Sequence, residues 1–358
     1  MSTAVLEVEE KMKSELSPQS PASTDTPPEA VLTQMITGSL GSQAIYVAAK
    51  LGIADLLVDG PRNVNELARL VDADAPSLYR VLRALASFGV FAEQDNRAFA
   101  LTPTADLLRS DSPRSLRDLA IFFGEDWHWK VWGQTLYSVR TGQAAWGKVH
   151  GQEVFPYFAA NPEAAKIFDQ AMTSLSNLAI NAVVEAYDFS GIETLVDVAG
   201  GHGRLLTSIL EANPSVKGVL FDMPHVIEGA KESESVKAAG SRCELISGDF
   251  FVEVPAGADA YFMKHIVHDW DDEQALQLLR NIRRVMKPNG RVLLAEAVIS
   301  DGGERDFGKL LDIEMLVSPG GKERTADEYR ELFAQAGLRL TRIVPTNSPY
   351  SIIEAVIA

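Results

Sequence analysis

Apolar residues along the chain follow two different spacings, and the change from one to the other falls near residue 191. Before that point they recur at helical spacing, as in Val31, Leu32, Met35 and Ile36, which predicts helices. After it, short β-rich runs alternate with helical segments, which predicts an α/β fold with a parallel sheet covered on both faces. The expected strands are Leu195–Ala199, Lys217–Phe221, Cys243–Ser247, Ala258–Met263 and Arg291–Glu296, followed by a terminal hairpin of Leu338–Val344 and Tyr350–Ile357.

The N-terminal part carries the local signals of a winged helix. Asn63 with Glu66 marks the start of one helix, and Asp74 marks the start of the next. Residues 90–92 and 98–101 then predict the two strands of a hairpin. Because a winged helix can bind DNA, this function has to be weighed against the charge of the chain.

That charge argues against DNA binding. The 358 residues carry a formal net charge of -16, which repels nucleic acids and anionic lipids. Arg80 and Arg83 lie on the second helix, but no dense basic patch surrounds them. No apolar stretch approaches the ~18 residues of a membrane helix, and a single cysteine, Cys243, suits a reducing compartment. We therefore expect a cytoplasmic protein without a nucleic-acid or membrane partner.

Composition and periodicity divide the chain into four parts. Residues 1–28 are rich in Ser, Thr and Pro, which predicts a disordered tail to which we assign no function. A winged-helix domain is expected over 29–110, an aromatic helical linker over 111–190, and a ligand-binding α/β domain over 191–358. Most aromatic side chains of the linker belong to an ordinary core, and the rest line a substrate pocket. The candidate pocket residues are Phe123, Trp127, Trp132, Met172, His265, Asp269, Met315 and Ser318.

A glycine-rich turn follows the first strand of the α/β part, between Ala199 and Gly203. Glycines let the backbone approach a ligand closely, and the amides of the helix that follows can meet its polar groups. Dinucleotide-binding enzymes use a related turn, but Leu206 stands where their fingerprint has a third glycine. Some such turns are simply tight connections between a strand and a helix. If this one binds a ligand, Leu206 argues against NAD.

Three carboxylates are expected at the same edge of the sheet. Asp197 lies in the first strand, Asp222 ends the second and Asp249 follows the third, and open α/β sheets bind ligands at the carboxyl ends of their strands. Asp222 is placed to accept hydrogen bonds from both hydroxyls of a ribose, or else to cap the helix that follows. Three carboxylates suit a cationic, amine-bearing nucleoside.

Two histidines, His265 and His268, follow the fourth strand at this edge. An imidazole with a pKa of about 6.5 can remove a proton from a hydroxyl at neutral pH. Glu296 and Glu323 are expected nearby, and a carboxylate bonded to an imidazole fixes its tautomer and stabilises the imidazolium. Structural histidines and surface glutamates are the alternatives. The two histidines could also form a metal-binding pair, but no further His or Cys is nearby in sequence, so we expect no metal.

Five motifs stand in an order that resembles the plant caffeic-acid-type and bacterial small-molecule O-methyltransferases, including the acetylserotonin, anthracycline and phenazine enzymes. They are 197–203, 221–227, 248–250, 263–264 with 268–270, and 320–324, and the resemblance runs from about residue 30 to the end. It implies a Rossmann-like seven-stranded methyltransferase sheet and a homodimer held by the winged-helix domain. It also implies that S-adenosylmethionine donates a methyl group to a small hydroxylated acceptor, phenolic or enolic, in secondary metabolism.

The same resemblance assigns roles to individual residues. His268 would be the general base, flanked by Glu296 and Glu323, and no metal is needed. The implied cofactor-binding residues are Asp197, Gly200, Gly201, Gly203, Asp222, Met223, Asp249, Phe250 and Lys264. Plant relatives carry Trp at the position of His265 and Asn at that of Ser318, so the acceptor is expected to differ from a phenylpropanoid.

Two alternatives stay open at this point. One is an N- or C-methyltransferase, or a related hydroxylase-like member of the same fold, that keeps the cofactor site and uses the base differently. The other is a non-catalytic winged-helix regulator that binds a nucleoside as a signal. The second predicts DNA binding without turnover, and the set of His268, Glu296 and Glu323 argues against it.

Overall fold

The computed structural model describes residues 27–358, so the predicted tail lies almost wholly outside the described residues. The helices are α1 Pro28–Lys50, α2 Val64–Leu70, α3 Ala75–Ser87, α4 Pro103–Asp106, α5 Arg117–Gly124, α6 Asp126–Trp132, α7 Thr135–Thr141, α8 Ala145–His150, α9 Val154–Ala160, α10 Pro162–Ala186, α11 Arg204–Ala212, α12 Pro224–Ala230, α13 Glu234–Ala239, α14 Asp272–Val285, α15 Phe307–Val317 and α16 Ala326–Gln335. Short 3-10 turns occupy Asp55–Leu57, Asp95–Arg97, Gly240–Arg242 and Val267–Asp269.

The strands are β1 Arg62–Asn63, β2 Phe91–Gln94, β3 Ala98–Leu101, β4 Thr194–Val198, β5 Lys217–Asp222, β6 Cys243–Ser247, β7 Ala260–Lys264, β8 Arg291–Glu296, β9 Val298–Ile299, β10 Arg324–Thr325, β11 Leu338–Pro345 and β12 Ser351–Ile357. Seven of them form one sheet in the order β11-β12-β8-β7-β4-β5-β6. β12 pairs antiparallel with β8 and β11, and the other neighbours are parallel. The predicted parallel sheet and terminal hairpin are confirmed, with ends that shift by one or two residues.

Each face of the large sheet builds its own core, because successive side chains of a strand point to opposite faces. Val196 and Val198 pack in the core beneath α14 and α16. Leu195 packs on the other face with residues of α10 and α11, such as Val183 and Leu206. The two layers of helices fix the carboxyl ends of the strands, where the loops gather.

The N-terminal domain has the expected helices and hairpin, with one strand more than predicted. Asn63 and Asp74 cap α2 and α3 by accepting bonds from Asn65 N and Ser77 N. Glu66 does not complete a capping box, because its carboxylate pairs with Arg62. Arg62 also belongs to β1, which adds a third strand to the wing.

Two groups of large apolar side chains remain exposed in the described chain. The first, here called the α1 stripe, consists of Leu32, Met35, Ile36 and Leu40. The second, the α7–α15 patch, lies on two helices that contact each other and consists of Leu136, Val139, Phe307, Leu310 and Ile313. Within residues 27–358, no helix has both the length and the apolar character to cross a membrane.

Candidate functional site

The glycine-rich turn after β4 brings the backbone tightly against the sheet. A Cβ on Gly200 would lie 2.5 Å from Asp197 Oδ2, and one on Gly203 would lie 3.0 Å from Leu220. Gly203 also has a φ of +76°, which suits glycine. Ala199 adopts a φ of 56°, so it carries backbone strain of about 1–2 kcal/mol. The turn therefore leaves space that side chains would otherwise fill.

Asp197 and Asp222 bring two buried or half-buried carboxyl groups to this edge. Asp197 is buried, its Oδ2 has no hydrogen-bond partner, and burial raises the pKa of its carboxyl to about 7. Asp222 accepts bonds from Gly201 N at 2.8 Å and Met223 N at 2.7 Å, and burial raises its pKa as well. Each Asp222 oxygen keeps a second lone pair for a ligand. A buried carboxylate without a partner, beside a turn whose glycines leave room for a ligand, fits a cationic cofactor that carries hydroxyl and amine donors.

The loop after β6 presents Asp249 and Phe250 on the same side. Asp249 Oδ1 accepts a bond from Phe251 N at 2.8 Å. Asn281 on α14 donates to the carbonyls of Phe250 and Phe251 at 2.9 and 3.0 Å. The Phe250 ring packs near Trp270, with ring centroids 6.0 Å apart. Asn281 therefore holds this loop in place, although its sequence context does not mark it as a residue of the site.

Lys264, at the end of β7, connects the sheet to the helical linker. Its ammonium group donates to Ser176 Oγ on α10 at 2.7 Å. Burial lowers its pKa, against the opposing carboxylates of Asp197 and Glu296, to about 8. Ser176 was also missed, although it stands four residues after the predicted Met172, on the same side of the helix.

His268 lies in the 3-10 turn Val267–Asp269 and is buried. Its Nδ1 is 2.6 Å from Glu323 Oε1 and 3.5 Å from Glu296 Oε2. Its Nε2 is 3.6 Å from Asp269 Oδ1. The structure thus brings together the three predicted catalytic residues and adds Asp269. Because a carboxylate accepts the Nδ1 proton, the neutral imidazole keeps a lone pair on Nε2.

The three carboxyl groups change the proton affinity of this site. Burial opposes the charged imidazole, but the carboxylates of Glu296, Glu323 and Asp269 outweigh burial and raise the pKa of His268 to about 10. Burial raises the pKa of Glu296 to about 7 and that of Asp269 to about 6. The cluster therefore holds protons more tightly than isolated side chains do.

Backbone contacts fix the position of the His268 turn. The amides of Ile266 and Val267 donate to Glu296 Oε1 at 3.1 and 3.0 Å. On the other side, a Cβ on Gly321 would lie 1.9 Å from the His268 carbonyl oxygen. Only a glycine lets the segment that carries Glu323 approach this closely.

Arg324 is the buried cation that supports the same turn, and sequence analysis gave it no role of its own. Its side chain is fully buried. It donates to the carbonyls of Val267 and Trp270, both at 3.2 Å, and to Asp272 Oδ1 at 2.9 Å. These bonds tie both ends of the His268 turn to β10.

His265 lies against the site, beside His268 and Tyr350. Its ring is 4.1 Å from that of Tyr350 and 5.3 Å from that of His268, measured between centroids. Its φ is 56°, its Nε2 lacks a partner, and burial holds its pKa well below the ordinary value. Ligand atoms of His265, His268 and Glu296 lie within 4.8 Å of one another, a metal-compatible spacing unique among residues 27–358. Glu296 was expected near the two histidines, but only as a partner of the imidazole and not as a third potential metal donor.

The predicted pocket residues of the linker separate into two groups. Phe123, Trp127 and Met172 belong to one aromatic cluster. Trp132 and Ser318 instead meet at Glu314 on α15. Met315 is buried on the same helix. His128 Nε2 lies 3.0 Å from Glu314 Oε1, and sequence analysis missed both partners because no local pattern distinguishes them.

Family comparisons agree with this architecture. The O-methyltransferase domain matches residues 132–339, and the O-methyltransferase dimerisation domain matches residues 33–111. The phenazine O-methyltransferase PhzM of Lysobacter antibioticus is 46% identical over 329 residues, which cover 92% of this chain and 96% of that protein. The phenazine-1-carboxylate N-methyltransferase of Pseudomonas aeruginosa is 35% identical and covers 87% of this chain and 92% of its own.

A solved structure extends the comparison to the cofactor. The calicheamicin-biosynthesis methyltransferase CalO1, in its form bound to S-adenosylhomocysteine (SAH), has a TM-score of 0.82 and 36% identity, and the match covers 93% of this chain and all of that one. The family model spans more than half of the described chain, and the relatives align over nearly their whole length. The chain therefore belongs to the O-methyltransferase family and is an S-adenosylmethionine-dependent methyltransferase.

Proposed function

We propose that this enzyme methylates a phenolic or enolic hydroxyl of a small, flat acceptor from secondary metabolism. The observation that carries the proposal is the 2.6 Å contact between His268 Nδ1 and Glu323 Oε1. It gives the imidazole one orientation and one neutral tautomer, with Nε2 as the atom that accepts a proton. Methylation of a hydroxyl needs such a base, because the oxygen attacks best as an oxyanion.

The residues around the glycine-rich turn fit the cofactor. Asp197, Asp222, Asp249 and Lys264 would bind its polar groups, with Gly200, Gly201, Gly203, Met223 and Phe250 shaping the cleft. When bound, the cofactor supplies a methyl group activated by a positively charged sulfur. The task left to the protein is alignment of the two reactants and removal of one proton.

His268 performs that removal in the proposed mechanism. Its Nε2 takes the acceptor hydroxyl proton, and the electron pair of the broken O–H bond stays on the acceptor oxygen, which becomes the nucleophile that methylation requires. Glu323, Glu296 and Asp269 stabilise the imidazolium that forms, since each lies within 3.6 Å of a ring nitrogen. No metal is needed for this sequence of steps.

N-methylation is the second candidate. Its support is the 35% identical relative that acts as an N-methyltransferase. A ring nitrogen with a free lone pair has no proton to lose, so His268 would be dispensable for it. The assignment to an enzyme family leaves no place for the non-catalytic regulator.

The exposed apolar side chains of α1 bear on the quaternary state of the enzyme. The α1 stripe falls largely within residues 33–111, which match a dimerisation domain, and we propose a homodimer. We also propose that the enzyme works in the cytoplasm on a small molecule, without a nucleic-acid or membrane partner.

The test begins with calorimetric binding of S-adenosylhomocysteine to the full chain. Turnover is then measured, with and without EDTA, against matched aromatic acceptors that differ only in carrying a hydroxyl or a ring nitrogen. Hydroxyl acceptors should form methyl ethers at undiminished rate in EDTA. Methylation confined to ring nitrogens would favour the second candidate, and a loss of turnover in EDTA would overturn the metal-free mechanism.

A further inference from the structure

Glu314 is a buried carboxylate on α15 whose partners come mainly from the helical linker. His128 Nε2 lies 3.0 Å from its Oε1, and Trp132 Nε1 donates to its Oε2. His128 is fully buried, and Glu314 is nearly so. Burial works against a charged Glu314, but the contacts with His128, Trp132 and Ser318 outweigh it and hold the pKa of this carboxyl below its usual range.

The gain in stability from such a buried polar pair is small, because both groups lose their hydration. Burial removes the hydration of a carboxylate, and apolar residues of similar volume often stabilise a fold as well as a buried polar pair does. Buried polar pairs contribute instead by allowing one relative arrangement of the elements that carry them. Here those elements are α6 and α15.

α6 belongs to the aromatic part of the linker. The His128 ring lies 5.3 Å from that of Phe123 and 6.1 Å from that of Trp127, between centroids. Both aromatic residues are candidates for the acceptor pocket. The position of His128 is therefore tied to the position of the predicted pocket wall.

α15 leads directly into the segment that carries Glu323 and contacts His268. Asp312, two residues before Glu314, accepts a bond from Glu323 N at 2.9 Å. Gly320 N bonds to Met315 O at 2.8 Å, and Lys322 N bonds to His268 O at 2.9 Å. Hydrogen bonds of the residues on either side of Glu314 thus connect this part of α15 with the segment that contacts His268 and carries Glu323.

We propose that His128 and Glu314 are positioning residues that hold the acceptor wall and the Glu323 segment in one alignment, so that the bound hydroxyl meets His268 Nε2. This inference rests on the proposed O-methylation. Neither residue touches the reacting atoms. Their effect passes through the orientation of α15, and a misplacement of about 1 Å can cost a hundredfold in rate.

The test compares Glu314→Gln with Glu354→Gln. Glu354 is a matched control, because both carboxyls are 7% exposed and both accept a bond from an aromatic side chain, Tyr187 in the case of Glu354. Glu354 lies on the terminal strand, where its carboxyl bonds to Tyr187, Thr341 and Arg342 rather than to α15. Each variant is measured for melting temperature, SAH affinity, acceptor kcat and KM, and the pH profile of kcat/KM.

Glu314→Gln should lower kcat for the acceptor about tenfold to a hundredfold and leave SAH affinity within about twofold. A displaced Glu323 leaves His268 facing only Glu296, Asp269 and the neutral His265, so the pKa of His268 falls. The acidic limb of the pH profile of kcat/KM should therefore move to lower pH. Glu354→Gln should lose thermal stability while kcat and the limb stay unchanged.

Wild-type kcat and an unmoved limb in a folded Glu314→Gln protein would overturn the proposal. If that variant does not fold, His128→Asn is measured in the same way with the same two deciding readouts. Failure of the wild-type protein to bind SAH, or to methylate any hydroxyl, would count instead against the proposed function.

Discussion

At the scale of single residues, the replacement of His268 should separate proton removal from cofactor binding. His268→Ala removes Nε2 but leaves the glycine-rich turn and the carboxylates around it in place. We expect methyl transfer to hydroxyl acceptors to fall by about 10²–10⁴-fold, the usual contribution of a general base. SAH affinity, measured by calorimetry, should stay nearly unchanged.

Asp222→Ala is the reciprocal variant. It removes a carboxylate that lies beside the turn and 2.8 Å from Gly201 N, so SAH affinity should fall while the His268 cluster keeps its geometry. Turnover at saturating cofactor should be affected far less than in His268→Ala. Equal losses of affinity and turnover in the His268 variant would disprove its assignment as the base.

The pH dependence of the reaction follows from the raised pKa of His268. A base must be neutral to accept a proton, so the rate falls as the pH drops through the pKa and His268 becomes protonated. The neighbouring carboxylates raise this pKa to about 10, so the acidic limb of kcat/KM for the acceptor should lie well above pH 6.5, the value that this imidazole would otherwise have. The limb belongs to the whole cluster rather than to one residue.

Asp269→Asn provides the check on this assignment. Asp269 is one of the three carboxylates that raise the pKa of His268, and the amide keeps its size without its charge. The acidic limb should therefore move to lower pH. At neutral pH a larger fraction of His268 is then neutral, which offsets part of any loss of rate that the substitution causes. A limb at or below pH 6.5 in the wild-type enzyme, or one unmoved by Asp269→Asn, would contradict the explanation.

Residues at the ends of strands could be predicted from sequence, whereas their distant partners could not. His268 and Asp222 follow apolar runs that predict strands, so their place at the sheet edge is a local property of the chain. Ser176 meets Lys264 across 88 positions, and His128 meets Glu314 across 186. No local pattern encodes such pairs, because they depend on how α10 and α15 pack.

At the scale of elements, the fit between two loops at Gly321 is a separate determinant of activity. The backbone of Gly321 is not left-handed, so alanine is disfavoured there by the space its Cβ needs. That Cβ would lie 1.9 Å from His268 O, 2.5 Å from Asp269 C and 2.7 Å from Trp270 N. We expect Gly321→Ala to displace the His268 turn, destabilise the fold by about 1–3 kcal/mol and abolish most turnover. Thermal unfolding and kcat measure the two effects.

Gly303→Ala is the matched control for that substitution. Gly303 precedes α15, and an added Cβ there would meet no atom within 4 Å. Its melting temperature and kcat should equal those of the wild type. Normal turnover in Gly321→Ala would mean that the segment carrying Glu323 can retreat without moving the base.

The elements themselves were largely predictable, and the exceptions have a common cause. The strands of the large sheet are apolar runs buried on both faces, a pattern that tertiary packing reinforces. The two-residue strands β1, β9 and β10 form only where another segment lies alongside them, so nothing in their own residues predicts them. Glu66 likewise follows the capping pattern but pairs with Arg62, since an ion pair was available one turn away.

At the scale of the whole molecule, the single chain leaves two apolar surfaces uncovered. Met35 is 73% exposed in the α1 stripe, and Leu310 is 65% exposed in the α7–α15 patch. Exposed apolar area of this extent usually marks a protein interface. The dimerisation-domain match covers the part of α1 from residue 33 onward. We therefore propose that a second copy of the chain covers the stripe.

Met35→Glu should weaken that assembly, because it places a charge in an interface that buries apolar side chains. Sedimentation velocity over a dilution series should show a dimer for the wild type and a monomer for the variant at low micromolar concentration. We expect the same dimer to cover the α7–α15 patch as well. Turnover should therefore fall on dissociation, because α15 carries part of that patch and also the Asp312 contact to Glu323. Concentrating the variant should restore dimer and turnover together.

Val252→Glu controls for the added charge, because Val252 is 68% exposed on a loop of the methyltransferase domain, outside both apolar surfaces. It should sediment as the wild type does. A Met35→Glu protein that remains dimeric on dilution would remove the α1 stripe from the interface. A monomer with full turnover would leave the stripe there but separate assembly from catalysis, because the contacts of α15 with Glu323 would then need no support from a second copy.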